Sequence, residues 1–224
     1  TLEDMQQLQY DVLSLQARDL LEIFLPHLPD GEIKNQLQKW DCRYTPESVE
    51  ATWFLRLYRN VMMEMMGNEH GIGWRRMLYL SSRAGYSTMV LTAADRLLTK
   101  EQSSWWEGKS KAEMIRRAGE RLEKEAPEPW SEVNFFHFTD RFFGNQQVGR
   151  LLGFKSRRYV MPGNHATPFQ GHVMQTATRE TTFAPSYHLV TDLGTEVAWT
   201  NLPGGPSESR FSRYYKNDLA RWFT

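Results

Sequence analysis

The sequence contains one cysteine, Cys42, and so has no internal disulfide. A disulfide scaffold and a Cys-rich zinc site are excluded. It has no excess of charge, since 27 basic and 27 acidic residues cancel. Without a basic stripe, nucleic acid is not an expected partner. No uninterrupted apolar run approaches the roughly 20 residues of a membrane span. The six histidines, His27, His70, His137, His165, His172 and His188, include no i, i+4 pair, so no metal centre is expected. There is no Gly-x-Ser-x-Gly elbow, phosphate-binding loop or dinucleotide fingerprint. The chain opens at Thr1-Leu2-Glu3-Asp4 without an initiator Met or a basic-then-apolar leader. It stops at Ala220-Arg221-Trp222-Phe223-Thr224, inside what reads as a helix. Both ends read as cuts within a longer polypeptide.

What is present is apolar and aromatic. Hydrophobic residues make up 40% and aromatics 13%, ample for a core and contrary to disorder. The first part, 1–126, reads as helical. A helix capped near Thr1 is expected to run to about Phe24, with Met5, Leu8, Val12 and Leu15 on one face. A short helix follows over Glu32 to Lys39. Thr45-Pro46-Glu47-Ser48 is a start signal for another, carrying Val49, Trp53, Leu57 and Val61. Further helices are expected over about Ser87 to Leu98 and Lys109 to Ala126, the latter with a solvated charged face. After Pro127-Glu128-Pro129 the character changes. Residues 127–224 read as a β-rich portion, with strands over His172 to Ala177, Tyr187 to Asp192 and Glu196 to Asn201. Gly194 lies at hairpin distance between the last two. A final helix is expected from about Ser212. The fold class is α+β: a helical first half, then a small antiparallel β portion. Such a small β portion cannot cover its own faces, so aromatic residues around Trp105, Trp130 and Phe136 are expected to be buried against other polypeptide.

Few residues stand out chemically. Asp11 falls between Leu8 and Leu15, and on a continuous helix it would sit on the apolar face. Such an acid must be paired or hydrogen-bonded, and a structural role is expected ahead of a catalytic one. His165 lies in Met161-Pro162-Gly163-Asn164-His165-Ala166-Thr167-Pro168, a turn-rich polar loop of the kind that carries binding groups. Asn164, His165 and Thr167 are the candidate substrate-binding residues, set against a merely structural or exposed loop. Thr1 could be nucleophile and base in one residue if its α-amino group were free. That chemistry needs a buried strand end, whereas Thr1 opens an amphipathic helix. Gly204-Gly205-Pro206-Ser207 reads as a shape-determining turn, because Pro206 removes a donor that an anion nest requires.

The order of several segments adds to this. Met5 to Ser14 resembles the "m-x-x-l-Q-x-D-x-x-S" helix of the penicillin acylase family. Leu37-Gln38-Lys39-Trp40-Asp41 is similar to its "L-x-x-W-D", and the helix from Ser48 to Met66 falls where its next long helix begins. Trp130 to Phe143 resembles a "W…h…f" segment. Met161-Pro162-Gly163-Asn164 with Thr167 resembles "p-G-(D/N)-x-x-T". Ala184 to Leu193 looks like "G-P-S-x-R-x-v-x-D-l", and Pro203 to Ser207 with Tyr214, Asp218 and Trp222 looks like "p-G-G-q-S-G…Y-x-D-q-x-x-W". Departures are Ala184 for Gly, His188 for Arg, Pro168 after Thr167, Glu208 for Gly and the lack of Gln beyond Asp218. They bear on substrate preference more than on fold.

The resemblance implies a precursor that cleaves itself into a small and a large subunit. The new N-terminal Ser attacks an amide, its own amino group serves as base, and an Asn side chain with backbone N–H holds the oxyanion. Those residues would lie outside this chain, so no catalytic residue is carried onto it. The chain would be the C-terminal part of the large subunit, within an αββα sandwich of the N-terminal-nucleophile hydrolase type. Its expected partners are the rest of that subunit, the small subunit and a small-molecule amide. No cofactor is expected in this chain, while the resemblance allows calcium elsewhere in the full protein. It also implies a periplasmic or secreted setting. Two other readings stay open: a non-enzymatic helical interaction module, and an enzyme complete in this chain with Thr1 as nucleophile.

Overall fold

The structure is a computed structural model, and it describes residues 1–67, 73, 76, 86–106, 108–140, 142–171 and 184–223. The expected strand over 172–177, with His172, and also His70, lie outside the described residues.

The first expected helix is two. Helix α1 spans Leu2–Gln9 and α2 spans Leu15–Phe24. Between them the chain is extended and bridges a second strand-like segment: Leu13 pairs antiparallel with Arg43. Ser14 N–H donates to the Cys42 carbonyl and Tyr44 N–H to the Val12 carbonyl. The break has a local cause, because the Ser14 side chain accepts the N–H of Ala17 and restarts the helix. The apolar period of Met5, Leu8 and Leu15 therefore marks no core face. All three are more than half exposed, while Val12, in the break, is buried.

Helix α3 covers Glu32–Lys39, and α4, Val49–Met66, is the axis of the molecule. Its cap is Ser48, whose hydroxyl accepts the N–H of Ala51 at 3.0 Å. Buried residues surround it on nearly every side, from Trp53, Phe54, Leu57 and Tyr58 to Val61, Met62 and Met65. Helix α5, Tyr86–Leu98, and α6, Lys111–Leu122, flank it. Ser110 caps α6, which buries Met114, Ile115, Ala118 and Leu122 and keeps Glu113–Arg117 and Arg116–Glu120 pairs outside. Gly119 lets the turn at Leu28–Pro29 approach: a Cβ there would lie 2.7 Å from Pro29 Cδ. Arg56 of α4 donates to the Ala126 carbonyl at 2.7 Å and pairs with Glu128, so the chain leaves α6 tied back to the core.

The later portion is built from short pieces. Helix α7 is Trp130–Val133; β1, Phe135–Phe136, pairs antiparallel with β2, Tyr159–Val160; α8, Gln147–Leu151, lies between them in sequence. Strands β3, His188–Thr191, and β4, Ala198–Asn201, form an antiparallel hairpin with Val190 opposite Trp199. Its turn uses Asp192, whose carboxylate accepts the Gly194 N–H. The final helix, α9, is only Leu219–Trp222, because residues 210–218 run as turns rather than as the helix expected from Ser212. The α+β class holds: helices first, then small antiparallel sheets. Trp130 corrects the expected surface. It is fully buried inside this chain, edge-on to Tyr44 at 4.9 Å, while Trp105 is 42% exposed.

Candidate functional site

The loop from Met161 to Gly171 reads as a surface feature in the sequence, yet it is packed into the molecule. Gly163 has φ 77°, and a Cβ there would lie 1.9 Å from the Phe169 carbonyl oxygen, so only glycine closes this turn. The Asn164 N–H donates to the Thr167 hydroxyl oxygen at 2.8 Å. That oxygen lies 2.9 and 2.7 Å from the carbonyls of Asn164 and Phe169. The Asn164 side-chain oxygen accepts the His165 N–H at 2.8 Å and lies 3.1 Å from His165 Nδ1.

Four neighbours clamp the loop. Gly163 N–H donates to the Tyr44 carbonyl and Phe169 N–H to the Asp11 carbonyl, each at 3.0 Å. The Trp130 indole donates to the Gly163 carbonyl at 3.1 Å. The buried Asn134 amide lies within 2.7 to 3.3 Å of the carbonyls of Met161, Gly163 and Gly171. Buried carbonyls of an irregular segment need such partners, because water cannot reach them.

This geometry sorts the three candidate binding residues. Asn164 and Thr167 are buried, and their hydrogen bonds close the loop on itself. His165 is only part-buried, and its ring stacks on Tyr58 with centroids 6.1 Å apart and planes 17° apart. Beside the loop, burial drives the Tyr44 phenol far above its ordinary range, although the nearby Asn164 amide favours its ionised form. Neither the Tyr44 oxygen nor the Asn164 amide nitrogen makes a hydrogen bond.

Asp11 is not on a helix face, as the break between α1 and α2 places it in the extended crossing. Its side chain is 26% exposed rather than buried. One carboxylate oxygen accepts the Leu13 N–H at 3.2 Å and the Arg43 guanidinium at 2.8 Å. Thr1 is an exposed cap: its ammonium and its hydroxyl each bond the same Asp4 oxygen at 2.8 Å. Bonding to that ammonium holds the Asp4 carboxyl below its usual value.

A second feature is a groove of about 250 Å³ where the two ends of the chain meet, lined by Gln6, Gln9, Tyr10, His188, Trp199 and Arg221 among others. The Tyr10 hydroxyl donates to the Arg221 carbonyl at 2.8 Å, and its oxygen lies 3.3 Å from His188 Nδ1 and 3.4 Å from Asn201 Nδ2. The His188 ring stacks on Trp222. Burial holds His188 below its ordinary pKa, against a hydrogen-bonding interaction with the Asn201 side chain that raises it. The groove presents hydrogen-bonding groups around a neutral imidazole. Among the described residues no group of His, Cys, Asp and Glu is placed to hold a metal ion.

The segments with distinctive sequence thus meet in one place: Asp11, Trp40 to Tyr44, Trp130 to Asn134 and the 161–171 loop. Trp40 donates to the Arg43 carbonyl, Tyr44 stacks edge-on against both Trp40 and Trp130, and Asp11 holds the loop. A model of the penicillin amidase family matches residues 1–224. The chain belongs to the penicillin amidase family. Membership assigns the protein to the amidohydrolases. A search of curated proteins returned no match.

Several residues of this penicillin amidase junction carried no clear sequence signal. Asn134 is a lone amide before an aromatic pair, and Tyr44 and Tyr58 read as ordinary core aromatics. The Ser48 cap did carry one, as the last residue of the Thr45-Pro46-Glu47-Ser48 start signal.

Proposed function

We propose that this chain is the scaffold portion of an amidohydrolase that cleaves an amide between an acyl group and an amine, with the nucleophile, an N-terminal Ser, supplied from outside the chain. The observation that carries the reading is the family match over residues 1–224. The state of Thr1 supports it: the ammonium and hydroxyl that would have to act as base and nucleophile are both bound to Asp4, 70% exposed to solvent. Within the reading, the 161–171 loop faces the cleft, His165 is its substrate-side residue, and Asn164 and Thr167 hold its shape. Asp11 is structural, tying the α1–α2 crossing to Arg43 and the loop. The partners are the rest of the large subunit and the small subunit. The β3–β4 hairpin supports this, since Leu189 and Trp199 are 45% and 44% exposed on strands that, among the described residues, pair only with each other.

The test is production of the whole precursor, intact-mass analysis, and an amide-hydrolysis assay. A separated polypeptide that starts with Ser is expected, and changing that Ser to Ala should abolish both separation and turnover. A Ser→Ala precursor that still hydrolyses amides, or a Thr1→Ala change that stops hydrolysis, would overturn the assignment.

A further inference from the structure

Helix α5 is held to the rest of the molecule by a polar contact that no catalytic reading uses. Its inner face buries Leu91, Ala94 and Leu98, and among these sits Asp95. Asp95 receives the Tyr58 hydroxyl of α4 on one carboxylate oxygen at 2.6 Å and the Gln16 amide of α2 on the other at 2.6 Å. The Tyr58 oxygen also lies 3.4 Å from the Leu91 carbonyl. The Tyr58 ring stacks on His165 of the loop.

Among the described residues the charges around it are sparse. From α2 it meets a neutral amide, from α4 a neutral phenol, and beyond that phenol the His165 imidazole. Among the described residues no lysine or arginine pairs with it. Burial therefore raises the Asp95 carboxyl, against the two hydrogen bonds that lower it, and burial of the phenol, then the Asp95 charge, keeps Tyr58 un-ionised. Gln16 Oε1 is buried without a hydrogen bond, so turning the amide over exchanges one unpaired amide atom for the other and serves a neutral acid as well as a charged one. With a proton on the Asp95 oxygen that faces Gln16, rotation of the amide would let Oε1 accept it. Tyr58 would still donate to the other oxygen, so both contacts survive with no buried charge.

We propose that Asp95, Tyr58 and Gln16 form a pH-responsive latch that holds α5 on α2 and α4 and tightens as Asp95 takes up a proton from solvent. The sign follows from linkage. A carboxyl raised in the docked state opposes docking where it is charged, and that penalty is relieved as pH falls through its raised value toward the ordinary 3.8.

Hydrogen exchange of the intact protein tests this, with α5 and α4 amide protection corrected for intrinsic rates, from neutral pH down to the ordinary carboxyl value of 3.8. The α5 protection should rise several-fold on acidification while that of α4 does not. Asp95→Asn should show the higher protection throughout, without the rise. Tyr58→Phe removes a donor to the carboxylate, so its rise should persist and move to higher pH. An absent rise in the native protein overturns the latch, as does a rise that survives Asp95→Asn. Should Asp95→Asn fail to fold, an unmoved midpoint in Tyr58→Phe does the same.

Discussion

The helical layer and the later portion are held together by different means. Around α4, aliphatic and aromatic side chains close on one another, so that Phe54, Leu57, Val61 and Met65 are shut off from solvent. After Pro129, hydrophobic packing is local to Trp130, Met161, Phe169 and Trp222, and irregular backbone is fixed by side-chain amides and an indole. The large apolar groups left in water are mostly in this portion, including Phe142, Leu151, Leu193, Trp199 and Phe211. A layer built on burial can stand largely on its own chain. One built on short strands and directed hydrogen bonds depends on what it is fastened to.

The contrast can be broken where the two regions join. Trp130→Ala removes a fully buried indole and the donor to Gly163, and should cost about 3–5 kcal/mol in urea unfolding. A loss below about 1 kcal/mol would mean the regions are not fastened there. Leu57→Ala, in the middle of α4, should cost about 2–5 kcal/mol. Asn134→Ala leaves three loop carbonyls without that amide, at about 2–3 kcal/mol. Its exchange footprint separates it from Leu57→Ala, since protection should fall over 161–171 and not over α4.

Acidification sharpens the difference further. The His188 ring is held toward its neutral form in the folded state, so folding must resist its protonation. Its contribution is complete above the ordinary value of 6.5 and is lost as pH falls through the lowered one. The junction of α1, β3 and α9 should therefore loosen on acidification, the direction in which α5 tightens. His188→Gln should flatten the pH dependence of exchange in β3, and an unchanged slope would exclude the imidazole as its source. The smallest expected effect is at Trp199→Lys: within about 0.5 kcal/mol for the isolated chain, because the ring is 44% exposed. The same change should weaken assembly with the rest of the precursor, seen as lower recovery in co-purification.

Legibility from sequence followed the same division. The charged, solvated face at helix-neighbour spacing located α6, and Gly194 between two strand-like runs located the hairpin, because local chemistry decides both. The break at Asp11–Ser14 was hidden, because Met5, Leu8, Val12 and Leu15 keep helical spacing straight through it. Besides the Ser14 cap, the partner segment at Cys42–Tyr44, about thirty residues away in sequence, pulls that stretch straight. The 161–171 loop was singled out in the sequence but misread in character. Asn164 and Thr167 have the composition of a solvated loop, and nothing nearby reveals that Asn134, Tyr44, Trp130 and Asp11 enclose it.

That enclosure sets the unit of exchange for engineering. Residues 161–171 cannot be transplanted as a cassette, since their carbonyls are answered by Asn134 and the Trp130 indole, and their amides by the carbonyls of Tyr44 and Asp11. A chimaera that swaps the loop alone would import unanswered buried carbonyls and lose its shape. One that moves it with 11–14, 42–44 and 130–134 would carry a complete circuit, with the crowded Gly163 turn as the position that tolerates no side chain.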